Sequence, residues 1–192
     1  EYWFPDSTRY IGHNPLNDDQ CIHEFPSYSF VLGDLHAHVV NVMYVLLMIG
    51  ILYAWMKRVR EREGTEQGFR LKRILLEPSV IAAGILTGIF QWTNYWDFVI
   101  YTVVVFICIF CVSMYRYGSR LRAAAAAVAV QTVEVLLLGA AAALPFTSTF
   151  ETMVSGVALS QNHSALYQLL ILWGLPAALV LVLFLGVLIK YL

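Results

Sequence analysis

The sequence predicts an all-α fold: a polytopic transmembrane bundle of about five helices with outer-face loops, its N-terminus outside and its C-terminus inside. Three observations lead to this prediction. Hydrophobic residues make up 59% of the 192-residue chain, and the mean hydropathy is +0.68. Charged residues make up only 13%, roughly half the share found in soluble domains. Several apolar runs also reach the length of about 20 residues that a spanning helix needs.

Five apolar runs are predicted to cross the membrane. In chain order they are Ala37–Met56, Ile74–Trp92, Phe98–Met114, Ala123–Leu144 and Leu166–Ile189. Each run is bounded by polar or charged residues, and turns at those boundaries would connect neighbouring spans.

The chain is predicted to form a single transmembrane region. Residues 1–36 would form an outer-face segment and residues 37–192 the helical bundle. Because the chain starts without Met and ends on an apolar stretch, we expect it to be a fragment of a longer polypeptide. The remainder of that polypeptide is then a partner of these helices.

Basic residues lie almost entirely at one end of the predicted spans. Seven lie at positions 57–73 and three at positions 116–122, whereas Arg9 is alone on the opposite side. The positive-inside rule therefore places 57–73 in the cytoplasm and the N-terminal segment outside. Since the basic residues follow the topology, we expect no nucleic-acid partner. The 57–73 run is interpreted as a solvated loop, with lipid-headgroup binding as the alternative.

One stretch concentrates residues suited to chemistry: Glu24–His38, which reads E-F-P-S-Y-S-F-V-L-G-D-L-H-A-H and leads into the first span. Asp34, His36 and His38 alternate within it. Carboxylate oxygens and imidazole nitrogens suit divalent cations. Two histidines two apart face the same way on an extended segment but about 200° apart on a helix. The stretch is interpreted either as a metal or phosphate site or as helix caps and hydrogen bonds at the membrane–water boundary.

A second polar stretch, Gln91–Asp97, forms the turn between the second and third predicted spans. Its tryptophans fit an aromatic belt at the membrane interface. An aromatic belt does not explain the presence of Asn94 or Asp97. Asp97 is interpreted either as the N-cap of the third span or as a carboxylate that faces the same outer cavity as Asp34.

Glu134 is a carboxylate predicted near mid-membrane, about 18 Å beyond Arg122 along the fourth span. A carboxylate at that depth is by default a functional hypothesis. The interpretation that we favour is a buried structural glutamate bonded to Gln131 or to a neighbouring helix. Small residues at 123–127 and 139–143 predict close helix packing.

Four motifs follow one another along the chain. W-F-P-D-S-T-R spans 3–9, E-F-P-x-x-S-F runs into D-L-H-x-H over 24–38, T-N-x-W-D occupies 93–97, and P-F-x-x-x-F occupies 145–150. In order and spacing they resemble the YYY family of very hydrophobic archaeal and bacterial membrane proteins, which carry the Chlor_Arch_YYY domain. The chain resembles a central segment of a member of that family.

The chain departs from the family pattern at three positions. Ala37 stands where the family commonly has proline between the two histidines, and Val99 stands where proline commonly follows the W-D pair. Thr8 separates the Ser-Arg pair. These departures concern the local backbone more than the polar groups.

The resemblance implies a glycosyltransferase, because the YYY family is grouped by distant similarity with the GT-C enzymes. Those multi-helix proteins transfer a sugar from a polyprenyl-phosphate carrier at the outer membrane face, sometimes with a divalent cation. The resemblance therefore implies the cytoplasmic (plasma) membrane of a prokaryote, membrane lipids and a polyprenyl-phosphate sugar donor as partners, and Mg²⁺ or Mn²⁺ as cofactor.

The resemblance also implies roles for individual outer-face residues. The catalytic candidates are Glu24, Asp34 and Asp97, the metal ligands are Asp34, His36 and His38, and the substrate-binding candidates are Arg9, Asn94 and Trp96. The alternative to an enzyme is a non-catalytic transporter or lipid-binding protein, in which Glu134 would matter more. A third interpretation is a scaffold subunit whose outer motif locks loops together.

Overall fold

The structure, a computed structural model, describes residues 10–13, 20–22, 26–33, 35–61, 69–151 and 165–191. These residues divide into two compact units. One unit draws on positions 1–35 and 154–192, and the other covers positions 36–153. The predicted division into an outer-face segment (residues 1–36) and a helical bundle (residues 37–192) stays a prediction.

In the described residues, the first unit contains a short hairpin and two helices. Strand β1 (Tyr10–His13) pairs antiparallel with β2 (Gln20–Ile22). Helix α1 (Pro26–Leu32) begins at a proline, which is favoured at the first helical position. It ends before Gly33, whose φ of 65° lies in the left-handed region that glycine tolerates. Helix α7 (Leu166–Tyr191) is the predicted fifth span.

Five helices form a bundle in the described residues of the second unit. They are α2 (Ala37–Glu61), α3 (Leu71–Leu75), α4 (Pro78–Thr93), α5 (Tyr95–Tyr117) and α6 (Leu121–Thr147). In the described part of the chain four helices, α2, α5, α6 and α7, are long and apolar enough to cross a membrane. The predicted class, an α-helical polytopic membrane bundle, is confirmed.

The second predicted span, Ile74–Trp92, is divided into two helices. Helix α3 ends at Leu75 and α4 begins at Pro78. Proline disfavours a helical conformation in the residue before it, and Glu77 is accordingly extended, with φ −74° and ψ 109°. The 16 residues of α4 measure about 24 Å, somewhat less than the roughly 30 Å of a bilayer core.

Helix α4 is the centre of the bundle, since it packs against α2, α5 and α6. Val80, Ala83 and Phe90 are fully buried on α4. They join a core to which α2 and α5 contribute side chains such as Trp55 and Ile109. The long helices instead leave many leucines, valines and isoleucines exposed, as expected of helices that face lipid.

Helices α4 and α6 cross at closely spaced glycines. A Cβ atom added to Gly88 would meet the carbonyl oxygen of Gly139 and would lie 2.6 Å from the Cβ of Ala142. A Cβ added to Gly84 would lie 2.9 Å from the Cβ of Leu138. Small residues four apart permit such an approach of two helix backbones. The close packing predicted for 139–143 is therefore confirmed, and its partner is the glycine pair of α4.

Candidate functional site at the Asp97 end of the bundle

The two predicted histidine ligands lie at the N-terminus of α2. The His36 carbonyl oxygen accepts hydrogen bonds from the backbone N–H groups of Val39 and Val40, both at 3.0 Å. His36 is therefore the residue that caps the helix, and His38 lies in its first turn. Because only one of them is helical, the 200° separation expected within a helix does not apply. Their rings meet edge to face, with centroids 5.3 Å apart and an angle of 65°.

A buried asparagine makes the central hydrogen bonds at the N-terminal end of α2. Asn41, one turn into α2, is fully buried at 0% exposure. Its side-chain amide donates to Oδ2 of Asp97, and its amide oxygen accepts a hydrogen bond of 2.6 Å from the Thr93 hydroxyl. Since donor and acceptor are both used, the orientation of the amide is determined, and α2 is joined to the ends of α4 and α5.

Asp97 is held by two amides through a single oxygen. Asn94 Nδ2 donates to Oδ2 at 3.0 Å, and Asn41 donates to the same atom. No hydrogen bond from the described part of the chain reaches Oδ1 of this half-buried carboxylate. We call Asn41, Thr93, Asn94 and Asp97 the Asp97 cluster.

The predicted N-cap role of Asp97 is wrong. The N-cap of α5 is Asn94, with φ −155° and ψ 106°, and its carbonyl oxygen accepts from the N–H of Asp97 at 3.0 Å and of Phe98 at 3.3 Å. Asp97 lies in the first turn of the helix. A carboxylate there interacts favourably with the helix dipole, while its side chain reaches back to two amides instead of capping the backbone.

Some of the predicted site residues lie within the described ranges and others lie outside them. Arg9, Glu24 and Asp34 lie outside the described residues. Asn94 and Asp97 are brought together, whereas Trp96 is 76% exposed, as an interfacial aromatic residue would be.

Sequence reasoning missed Asn41, which makes the central contacts. The available signal was a strongly polar side chain inside the apolar run of the first span. Such residues usually face the protein interior and find a polar partner there.

The histidine pair is compatible in spacing with a shared cation. Two imidazoles bound to one tetrahedral ion at about 2.1 Å have ring centroids roughly 5 Å apart, close to the observed 5.3 Å. Within the residues that the structure describes, no group of three or more His, Cys, Asp or Glu side chains is arranged to hold a metal. The third predicted ligand, Asp34, lies outside them, so the metal stays a prediction.

Glu134 is not joined to Gln131 as predicted. The Gln131 side chain is buried and donates to the carbonyl oxygen of Ile74 at 3.3 Å. Glu134 instead lines an apolar groove of about 530 Å³ between α3 and α6. Its Oε2 atom is buried and has no hydrogen-bond partner in the described ranges.

A second polar cluster lies at the opposite end of the same helices. Glu77, only 8% exposed, accepts a hydrogen bond from Arg58 of α2 at Oε1 and one from Arg116 of α5 at Oε2, the latter at 3.4 Å. Arg58 also lies 3.3 Å from the Ser79 hydroxyl. We call these four residues the Glu77 cluster. Since the two clusters tie opposite ends of α2, α4 and α5, these three helices run alternately up and down.

Comparison with known proteins decides the family. Residues 1–191 match the family described as "Uncharacterized membrane protein (DUF2298)". The chain belongs to the DUF2298 family. No curated protein and no solved structure matches the DUF2298 chain. This match confirms that the chain belongs to a membrane protein family over nearly its whole length, and the chain is an integral membrane protein. The more specific resemblance to the YYY family and the GT-C enzymes stays a prediction.

We expect Asn41→Leu in the DUF2298 chain to lower the free energy of unfolding by about 1–3 kcal/mol, because Asp97 and Thr93 each lose a buried partner. Thr147→Val is a suitable control and should change stability little. Among the described residues, the Thr147 hydroxyl bonds to carbonyl oxygens of its own helix and to no other group. SDS-induced unfolding in mixed micelles, followed by tryptophan fluorescence, measures both. Equal stabilities for the two variants would show that Asn41 does not tie the helices together.

Proposed function

We propose that this chain forms part of a membrane glycosyltransferase of the GT-C type. The enzyme would transfer a sugar from a polyprenyl-phosphate carrier to an acceptor hydroxyl at the outer face of a prokaryotic cytoplasmic membrane. One observation carries the proposal: the Asp97 carboxylate is held at Oδ2 by Asn41 and Asn94, and Oδ1 receives no hydrogen bond from the described residues. Support also comes from the resemblance of 93–97 to the T-N-x-W-D motif.

The transfer step assigns the general base to Asp97. The acceptor hydroxyl oxygen bonds to the anomeric carbon of the sugar while the bond from that carbon to the phosphate oxygen breaks. The hydroxyl proton passes to Oδ1 of Asp97, and the electron pair leaves with the polyprenyl phosphate. Because two amides already fix the orientation of this carboxylate, it loses little further conformational freedom when it accepts the proton. Glu24 is the alternative base.

The leaving phosphate needs positive charge or hydrogen-bond donors nearby. His36 and His38 lie at the N-terminus of α2, where the helix dipole favours anions. In this proposal Arg9 contacts the phosphate. A Mg²⁺ or Mn²⁺ ion held by Asp34, His36 and His38 would neutralise charge on the phosphate when bound. Asn94 and the exposed Trp96 would contact the sugar.

Turnover by the full-length protein tests the role of Asp97. The purified protein is supplied with polyprenyl-phosphate mannose and polyprenyl-phosphate glucose, and release of polyprenyl phosphate is measured. Asp97→Asn should lower turnover about 10²–10⁴-fold while leaving donor binding unchanged. The control is Glu61→Gln, which removes an exposed carboxylate at the C-terminal end of α2. Its turnover should match that of the wild type. Wild-type turnover in Asp97→Asn would rule out Asp97 as the base.

Donor binding tests the phosphate and metal assignments separately. Native mass spectrometry records undecaprenyl phosphate bound to the wild type, Asp34→Asn and His36→Ala, each with Mg²⁺, with Mn²⁺ or with EDTA. Binding that needs the metal and is lost in both variants would support the assigned ligands. Equal binding under all conditions would place the phosphate elsewhere.

The second candidate function is a non-catalytic transporter. It is favoured by the buried Glu134 Oε2 atom, which has no hydrogen-bond partner among the residues that the structure describes. An uncompensated carboxylate inside a membrane often takes part in ion or proton coupling. Loss of substrate movement in Glu134→Gln, together with unchanged behaviour of Asp97→Asn, would favour the transporter over the enzyme.

A further inference from the structure

A basic pocket lies beside the Glu77 cluster, at the end of the bundle opposite Asp97. It encloses about 520 Å³ between the C-terminal part of α2, helix α3 and the start of α4. Four basic side chains line it, and the one carboxylate among its described lining residues is Glu77. The basic residues are Arg58, Arg70, Lys72 and Arg73.

The charge of this pocket is not balanced by Glu77. That carboxylate is already shared between Arg58 on the pocket side and Arg116 on α5. The remaining basic side chains, which include Arg70 and Lys72, are exposed. Concentrated positive charge in a concave surface attracts an anionic group and favours its binding.

An apolar groove lies on the other side of α3. Leu71 and Leu75, four residues apart on one face of that helix, form one wall of the groove of about 530 Å³ that α6 completes. Leu71 is 50% exposed and Leu75 is 38% exposed. The short helix α3 therefore separates the basic pocket from the apolar groove.

We propose that this juxtaposition is a binding site for an anionic phospholipid. The headgroup phosphate occupies the basic pocket, with Arg70 and Lys72 as its main partners, and an acyl chain lies in the groove past Leu71 and Leu75. A phosphate linked to a long hydrocarbon chain is the ligand that meets both surfaces at once. Basic pockets among membrane helices on the cytoplasmic side are suited to anionic headgroups, and the basic residues predict that this end faces the cytoplasm.

Lipid binding to the detergent-purified full-length protein tests the proposal by native mass spectrometry. The probes are dioleoyl phosphatidylglycerol, dioleoyl phosphatidylcholine and dihexanoyl phosphatidylglycerol. Wild-type protein should bind dioleoyl phosphatidylglycerol most tightly, since only this probe combines a net negative headgroup for the basic pocket with a chain long enough for the groove. The double variant Arg70→Ala/Lys72→Ala should bind it about thirtyfold more weakly, given about 1 kcal/mol for each basic residue near an anionic headgroup.

The double variant Arg120→Ala/Arg122→Ala is the matched control. It removes the same number of basic residues at the start of α6, and neither is among the described residues that line the pocket. Its lipid binding should equal that of the wild type. An equal loss in both double variants would overturn the proposal in favour of general surface charge. Equal binding of the anionic and zwitterionic lipids would also overturn it, as would equal binding of the short-chain probe.

Discussion

Gly88→Leu is expected to prevent stable folding of the bundle. A Cβ atom at this position would meet the Gly139 carbonyl oxygen and would lie 3.2 Å from the backbone nitrogen of Ala143. Backbone atoms of α6 cannot move aside as a flexible side chain can, so the two helices would have to separate. Overpacking typically costs about 1–3 kcal/mol and sometimes more, and we expect more than about 3 kcal/mol here because α4 is the centre of the core.

Gly50→Leu is the matched control for this substitution. Gly50 lies within α2, and a Cβ atom there would have no atom of the described residues within 4 Å. Leucine should therefore be tolerated and should gain up to about 1 kcal/mol from its better helix propensity. The yield of monodisperse protein in detergent and its melting temperature measure both variants. Similar melting temperatures would contradict the close crossing of α4 and α6.

Glu77→Gln is expected to lower the free energy of unfolding by about 3–5 kcal/mol. The substitution keeps the shape of the side chain but removes the negative charge that Arg58 and Arg116 share. The Arg116 side chain is only 7% exposed, so water replaces little of the lost interaction. Removing one partner of a buried ion pair takes a compensating interaction from the charge that remains buried, which accounts for a cost of this size. SDS-induced unfolding in mixed micelles measures the change.

Glu61→Gln provides the comparison for an exposed pair. Glu61 lies 3.8 Å from Lys57, and the two side chains are 64% and 59% exposed. Exposed pairs four residues apart on a helix contribute about 0.3–0.5 kcal/mol, and salt screens them. The effect of Glu77→Gln should therefore exceed that of Glu61→Gln and should persist at high salt. Equal effects would mean that Glu77 is effectively solvated.

The candidate site could be predicted only in part. The T-N-x-W-D stretch identified Asn94 and Asp97, because polar residues at the end of an apolar run stand out from their surroundings. Asn41 was missed, since a single asparagine in an apolar run does not show which residue it will meet. Its partner Asp97 is 56 positions away, a distance at which local sequence carries no information on pairing.

The amino-acid sequence was sufficient to locate the membrane helices and the polar turns between them. Apolar runs and prolines determine where a helix begins and ends through interactions among neighbouring residues. Helices α2, α5, α6 and α7 therefore begin and end close to the predicted residues. Even the break at Glu77-Pro78 has a local cause in the sequence, although it lay within a predicted span.

Only the tertiary structure decided which faces and which charges meet. The crossing of α4 and α6 depends on Gly84 and Gly88 facing Gly139 across two helices. The burial of Glu77 depends on arginines contributed by two other helices. These contacts arise because the helices must bury polar groups with partners and must bring surfaces of small residues close together. Residues that are distant in sequence become neighbours only when the bundle packs.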